Sequence, residues 1–174
     1  MSITFILGGA RSGKSAYAEQ LAKDSGLFVT YIATAQVFDD EFGVRVARHR
    51  DSRPPTWKTV ETPHQLSAAL RAQASPNHCL IVDCLTLWLA QCICPECTPL
   101  EGIDWLKERS DFLEALPALP GTVILVSNEV GMGIVPLGEI NRQFQDEQGR
   151  LNQAVAKISD EVFFVAAGLS LKLK

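Results

Sequence analysis

Short apolar runs alternate along the chain with longer stretches of helical period. Runs at 3–7, 28–33, 79–83, 122–127 and 161–165 read as strands, with weaker ones at 57–61 and 169–173. Several are apolar throughout, which predicts strands buried on both faces, as in a parallel sheet. The segments between them carry helix punctuation. Thr62 followed by Pro63 predicts an N-cap with proline at the first helical position, opening a helix that stops before Pro76. Ile140, Phe144, Leu151, Val155 and Ile158 fall on one helical stripe, which Gly149 weakens midway. Strands alternating with helices predict an α/β fold, a mostly parallel sheet with helices on both faces and room for an antiparallel edge strand near the C-terminus. No repeat, low-complexity tract or linker interrupts the order, so residues 1–174 read as one domain.

At 174 residues and 47% apolar content, the chain is long enough to bury a substantial core. Its net charge of −4 and pI near 5.4 exclude the global positive field that non-specific nucleic-acid binding requires. The charge is uneven, however: Arg45, Arg48, Arg50 and Arg53 fall within nine consecutive positions. The N-terminus lacks a basic region before its short apolar run, and no window approaches the ~20 apolar residues of a membrane span. The expected location is the cytoplasm. An odd count of five cysteines fits reduced thiols there. Cys92, Cys94 and Cys97 lack a clear local fourth ligand for zinc and read as part of a reduced-thiol loop.

Directly after the first strand stand Gly8, Gly9, Ala10, Arg11, Ser12, Gly13, Lys14 and Ser15, a full match to G-x-x-x-x-G-K-[ST], followed by a good helix former over 16–23. Glycines let the backbone wrap an anion, and exposed N–H groups with the helix N-terminus supply partial positive charge. Lys14 would meet the β/γ-phosphates of a nucleoside triphosphate and Ser15 would hold Mg²⁺. The expected fold is therefore of the P-loop NTPase type. Asp83 ends the apolar run 79–83, where such enzymes place a Mg²⁺-holding carboxylate, although an aspartate there also serves as a helix cap.

Residues 41–53 read as a helix running into a turn before Pro54, with Phe42, Val46 and His49 at i, i+4 and i+7. A basic surface helix with a core-edge histidine accounts for that pattern. So does a site whose arginines bind phosphates and whose imidazole is presented to them. Nearby guanidinium groups disfavour imidazolium and would keep His49 neutral, the nucleophilic form.

Taken together, the phosphate loop, the Tyr31–Ala35 stretch, Arg48-His49-Arg50-Asp51-Ser52-Arg53 with Trp57 and Glu61 after it, Asp83-Cys84, Asn128 to Pro136 and Gly149 to Gln153 resemble the bifunctional adenosylcobinamide kinase / adenosylcobinamide-phosphate guanylyltransferase family of cobalamin biosynthesis. The resemblance covers nearly the whole chain; the stretch 92–104 does not share it. It implies two reactions with Mg²⁺ and GTP or ATP. Adenosylcobinamide is first phosphorylated; then the histidine matching His49 takes GMP from GTP and passes it to the substrate phosphate. The family's nucleotide contacts fall here on the phosphate loop, Ala33, Thr34, Ala35, Arg50, Asp51, Ser52, Arg53, Glu61 and Asp83, with Lys14 and His49 as the catalytic pair. Glu61 would accept from the guanine N1–H and exocyclic amine. A homo-oligomer, by resemblance a trimer, is expected.

Asn128 to Pro136 follows a strand and carries two glycines, which suits a ligand loop at the sheet edge, here for the corrinoid or its phosphate. His64 and His78 read as helix-face and loop residues, and Trp88 and Trp105 as core anchors. Two rival readings share the phosphate loop: a small-metabolite kinase without a covalent intermediate, and a non-enzymatic nucleotide switch.

Overall fold

The computed structural model describes residues 2–35, 53–94 and 102–174. Seven strands form one sheet: β1 (Ser2–Gly8), β2 (Phe28–Ala33), β3 (Lys58–Glu61), β4 (His78–Asp83), β5 (Thr122–Asn128), β6 (Glu161–Ala166) and β7 (Leu169–Lys172). Their spatial order is β3-β2-β4-β5-β1-β6-β7. All neighbours pair in parallel except β6 and β7, the expected antiparallel edge.

Alternation within the strands splits the core. Ile3, Phe5 and Leu7 of β1, Leu80 and Val82 of β4, and Val123 and Leu125 of β5 face one layer. There they meet α2 (Leu66–Gln73), α3 (Leu85–Ile93), α4 (Trp105–Ala115) and α5 (Glu139–Ile158). Ile6, Tyr31, Ile81, Ile124 and Val126 face the other, which α1 (Lys14–Asp24) covers through Ala18 and Ala22. Apolar residues on both strand faces thus follow from helices on both sides of the sheet. Trp88 is fully buried and packs edge-on against Trp105 with ring centroids 5.2 Å apart, so both anchor the core as expected.

Three sequence expectations need correction: His78, expected in a loop, opens β4, and the other two concern the helix after Thr62 and the cysteines. The helix after Thr62 begins only at Leu66: the Thr62 hydroxyl donates to the His64 carbonyl at 2.6 Å, and Gln65 takes a left-handed conformation before the first turn. His64 accordingly sits in that turn and not on a helix face. Cys94 is disulfide-bonded, whereas reduced thiols were expected throughout. Cys79, Cys84 and Cys92 are free, and their burial pushes their thiols up to about 11, 12 and 12, which keeps them protonated.

Candidate active site

The parallel strands β1, β2, β4 and β5 end at one edge of the sheet, where open α/β folds bind ligands. At that edge β1 hands over to the phosphate loop. Gly8 has φ +153°, and a Cβ there would lie 2.2 Å from the Val165 carbonyl oxygen of β6, so no larger residue fits between the strands. The turn joining β6 to β7 supports the loop from outside, its Gly168 N–H donating to the Ser12 carbonyl at 2.8 Å. Gly13, left-handed with φ +102°, caps α1, so the helix starts at Lys14 and its N-terminus points into the loop.

The Lys14 ammonium folds back across the loop, donating to the Gly9 carbonyl at 2.5 Å and to Ser12 Oγ at 3.5 Å. Burial lowers its pKa, and the Asp83 carboxylate works in the opposite direction. A cavity of about 470 Å³ opens beside it. Ala10, Arg11, Ser12, Gly13, Lys14, Ser15, Ala33, Ala35, Arg53 and Asp83 all line it. The topology therefore gathers the phosphate loop, the β2 end, the β4 end and Arg53 at one place. The register explains the meeting of β2 and β4, since Ala33 pairs with Asp83.

Other singled-out residues lie elsewhere. Gly8 and Gly9 belong to the loop but not to the cavity lining. Thr34 is fully buried and clamps Cys84, its hydroxyl donating to the Cys84 carbonyl at 2.7 Å and accepting from the Cys84 N–H at 2.9 Å. Glu61 ends the edge strand β3 opposite Ala33, exposed and outside the lining. His49, Arg50, Asp51 and Ser52 lie outside the described residues, as do Arg45, Arg48 and Cys97.

Five lining residues had no site role assigned from sequence: Ala16, Tyr31, Cys84, Leu87 and Asn128, with Tyr31 and Cys84 noted only within resembling stretches and Asn128 only as the start of a ligand loop. A period of two from Ala33 places Tyr31 on the same strand face, which is the signal that could have found it. The Asn128 N–H donates to Thr86 Oγ1 at 2.8 Å and its carbonyl accepts from Asn152 Nδ2 at 3.2 Å. Beyond it, Glu129 N–H donates to the Gly8 carbonyl at 3.0 Å, fastening the 128–136 stretch to the phosphate loop. Met132, Ile134, Val135 and Leu137 are then exposed.

The donor set suits a polyphosphate. Arg53 Nε is buried without a hydrogen-bond partner among the described residues, and such a donor calls for an acceptor. The Arg53 side chain lines the same space as the anchored ammonium and the α1 N-terminus. Ser15 and Asp83 supply hard oxygen donors in the same cavity, and the described residues hold no cluster of three or more His, Cys, Asp or Glu. That arrangement fits Mg²⁺, which binds through one or two protein oxygens plus substrate phosphates instead of a protein cage.

Comparisons with known proteins bear on the fold and the family. The fold resembles the RadB recombinase, with a TM-score of 0.51 and 18% identity over 94% of this chain and 73% of that one. An ATPase of a bacterial type III secretion system matches with a TM-score of 0.50 and 12% identity, covering 98% and 56%. Both likenesses are of fold. In sequence, the bifunctional adenosylcobalamin biosynthesis protein CobP of Pseudomonas aeruginosa is 54% identical over 170 residues, 97% of this chain and 95% of that protein. CobU of Escherichia coli strain K12, which bears the same bifunctional description, is 38% identical over 178 residues, 97% and 98% of the two chains. Residues 4–173 match the model of the family described as cobinamide kinase / cobinamide phosphate guanyltransferase, and the chain belongs to that enzyme family.

Proposed function

We propose that the chain phosphorylates adenosylcobinamide from ATP or GTP and then transfers GMP from GTP to the resulting phosphate, giving adenosylcobinamide-GDP and pyrophosphate. In the first reaction the substrate hydroxyl oxygen attacks the γ-phosphorus, the nucleoside diphosphate leaves and the hydroxyl proton is lost. In the second, a ring nitrogen of His49 attacks the α-phosphorus of GTP and expels pyrophosphate. A phosphate oxygen of adenosylcobinamide phosphate then attacks the same phosphorus and frees the histidine.

The observation that carries this reading is the convergence of the Lys14 ammonium, the Arg53 side chain and the α1 N-terminus on one cavity. In both reactions negative charge moves onto phosphate oxygens, and fixed donors in a partly buried site neutralise it without reorganising. Ser15 and Asp83 are the residues that would hold Mg²⁺, which when bound neutralises phosphate oxygens. Arg50, Asp51, Ser52, Ala33 and Ala35 complete the proposed nucleotide site, and Glu61 is the proposed guanine acceptor. The exposed apolar run from Met132 to Leu137, tied to the phosphate loop through Glu129, is the proposed corrinoid contact. We place the enzyme in the cytoplasm as a single-domain protomer of a homo-oligomer, by resemblance a trimer. Among the described residues no helix is long and apolar enough to cross a membrane.

GTP labelled at the α-phosphate tests the central claim. Wild type should acquire covalent label that is lost in His49→Ala and discharged by adenosylcobinamide phosphate. Unlabelled wild type, or undiminished label in the variant, overturns the guanylyl-histidine step and leaves a simple kinase. Failure to phosphorylate adenosylcobinamide overturns the first reaction.

A further inference from the structure

Tyr31 is 2% exposed and lies in the β2 strand, yet its two ends are occupied by groups of the nucleotide site. Its hydroxyl donates to Asp83 Oδ2 at 2.5 Å. The Arg53 guanidinium carbon sits 3.4 Å from the centroid of its ring, stacked on the face. We propose that Tyr31 is a positioning residue that holds the Asp83 carboxylate for the metal and the Arg53 guanidinium for the nucleotide phosphates, so that one side chain sets the geometry of two charges in the cavity.

Each half has a separate physical basis. A carboxylate at a strand end rotates about its terminal torsion, and a donor fixed on one oxygen selects an orientation. Groups that hydrogen-bond metal ligands in this way are typically worth 10–100-fold in metal affinity. On the ring face, stacking restrains a guanidinium without using its N–H donors, which leaves them for an anion. Arg53 itself lines the cavity beside the phosphate loop. An ordinary core tyrosine needs an acceptor for its hydroxyl, but packing alone gives no reason for that acceptor to be Asp83 or for an arginine to stack on the ring.

The proposal rests on the reading of Asp83 as the metal-holding residue, and the test separates the two. Mn²⁺ affinity of the full chain in complex with GDP is read by electron paramagnetic resonance, and GDP affinity in EDTA by calorimetry. Tyr31→Phe, which keeps the ring, should weaken Mn²⁺ binding by about tenfold or more while metal-free GDP affinity stays within about twofold of wild type. Tyr31→Leu should weaken both, and in EDTA its effect should not add to that of Arg53→Ala, since the second change removes a guanidinium already unmoored. Asp83→Asn that binds Mn²⁺ like wild type overturns the metal assignment and this inference with it. Asp83→Asn that loses Mn²⁺ while Tyr31→Phe keeps wild-type affinity overturns the carboxylate half alone. Additive losses from Tyr31→Leu and Arg53→Ala overturn the arginine half.

Discussion

Thr34 and Cys84 are joined by a two-way hydrogen bond across the ends of β2 and β4, the Thr34 hydroxyl giving to the Cys84 carbonyl at 2.7 Å and taking from its N–H at 2.9 Å. The Thr34 carbonyl is held in turn by Gln91 Nε2 from α3 at 2.5 Å. This fastening lies one residue beyond Asp83, so it fixes the backbone from which the carboxylate projects. Thr34→Val removes the hydroxyl and leaves the buried Cys84 N–H without its acceptor, while the Cys84 carbonyl keeps the Trp88 N–H at 3.2 Å; the cost is about 1–3 kcal/mol in folding stability. Urea denaturation should show that loss, with Thr34→Ser retaining most of it. Unchanged stability in the valine variant would mean that solvent or a shifted backbone satisfies Cys84 instead.

The two glycines that open the phosphate loop are predicted to respond in opposite ways. Alanine at position 8 drives a Cβ to 2.2 Å from a backbone oxygen of β6 at φ +153°, where neither strand can yield cheaply. Gly8→Ala should therefore lose about 3 kcal/mol or more, or fail to accumulate as folded protein. A Cβ at Gly9 meets nothing within 4 Å, and Gly9→Ala should stay within about 0.5 kcal/mol of wild type. Thermal unfolding of the pair measures the contrast.

Lys14 bridges the loop and lines the cavity beside it, so both proposed reactions depend on it. Lys14→Ala should reduce both adenosylcobinamide phosphorylation and α-label transfer by at least about 100-fold, the scale of one lost electrostatic contact to a transferring phosphoryl group. Full guanylyl transfer in this variant would show that the second reaction uses a different phosphate site.

What could be read from the sequence was what is local. The β1–loop–α1 unit was legible because a buried run, a fixed-spacing motif and a helix former lie within adjacent residues; five strands showed as clear apolar runs, and the edge strands β3 and β7 only as weaker ones. Sheet order was not legible, because it depends on pairings such as Ala33 with Asp83 that join residues 50 positions apart. The parts played by Tyr31 and Thr34 depend on that same pairing, which is why Tyr31 was noted only within the Tyr31–Ala35 stretch and given no role, and Thr34 was grouped with nucleotide contacts. The start of α2 was misplaced for a local reason. Thr62 has the composition of an N-cap, but its hydroxyl closes a turn on His64, and the chain passes through a left-handed Gln65 before it can coil. His49 lies outside the described residues, so its nucleophilic part rests on chemistry and resemblance.

Glu147 ties α4 to α5 and gives the fold a measurable pH dependence. Its Oε2 accepts from Trp105 Nε1 at 2.7 Å and from Arg109 at 2.9 Å, and its Oε1 accepts from Arg150 at 2.5 Å. Burial alone would raise the Glu147 pKa, but the Trp105 and Arg150 hydrogen bonds and the Arg109 and Arg150 charges outweigh it and hold the carboxyl below its ordinary 4.5. A carboxyl whose folded pKa lies below the unfolded one stabilises the fold above the unfolded value, and that contribution is lost as pH falls through the folded value. Glu147→Gln keeps an acceptor but not the charge, and should cost about 1.5–3 kcal/mol near neutral pH, the range for hydrogen bonds to a charged group. Urea unfolding of wild type and variant across pH 7 to about 3 checks the origin of that difference, which should shrink once pH drops below the ordinary carboxyl value of 4.5. A gap that stays constant to the acid end would assign the loss to altered packing at the Trp105 contact and not to the ionised carboxylate.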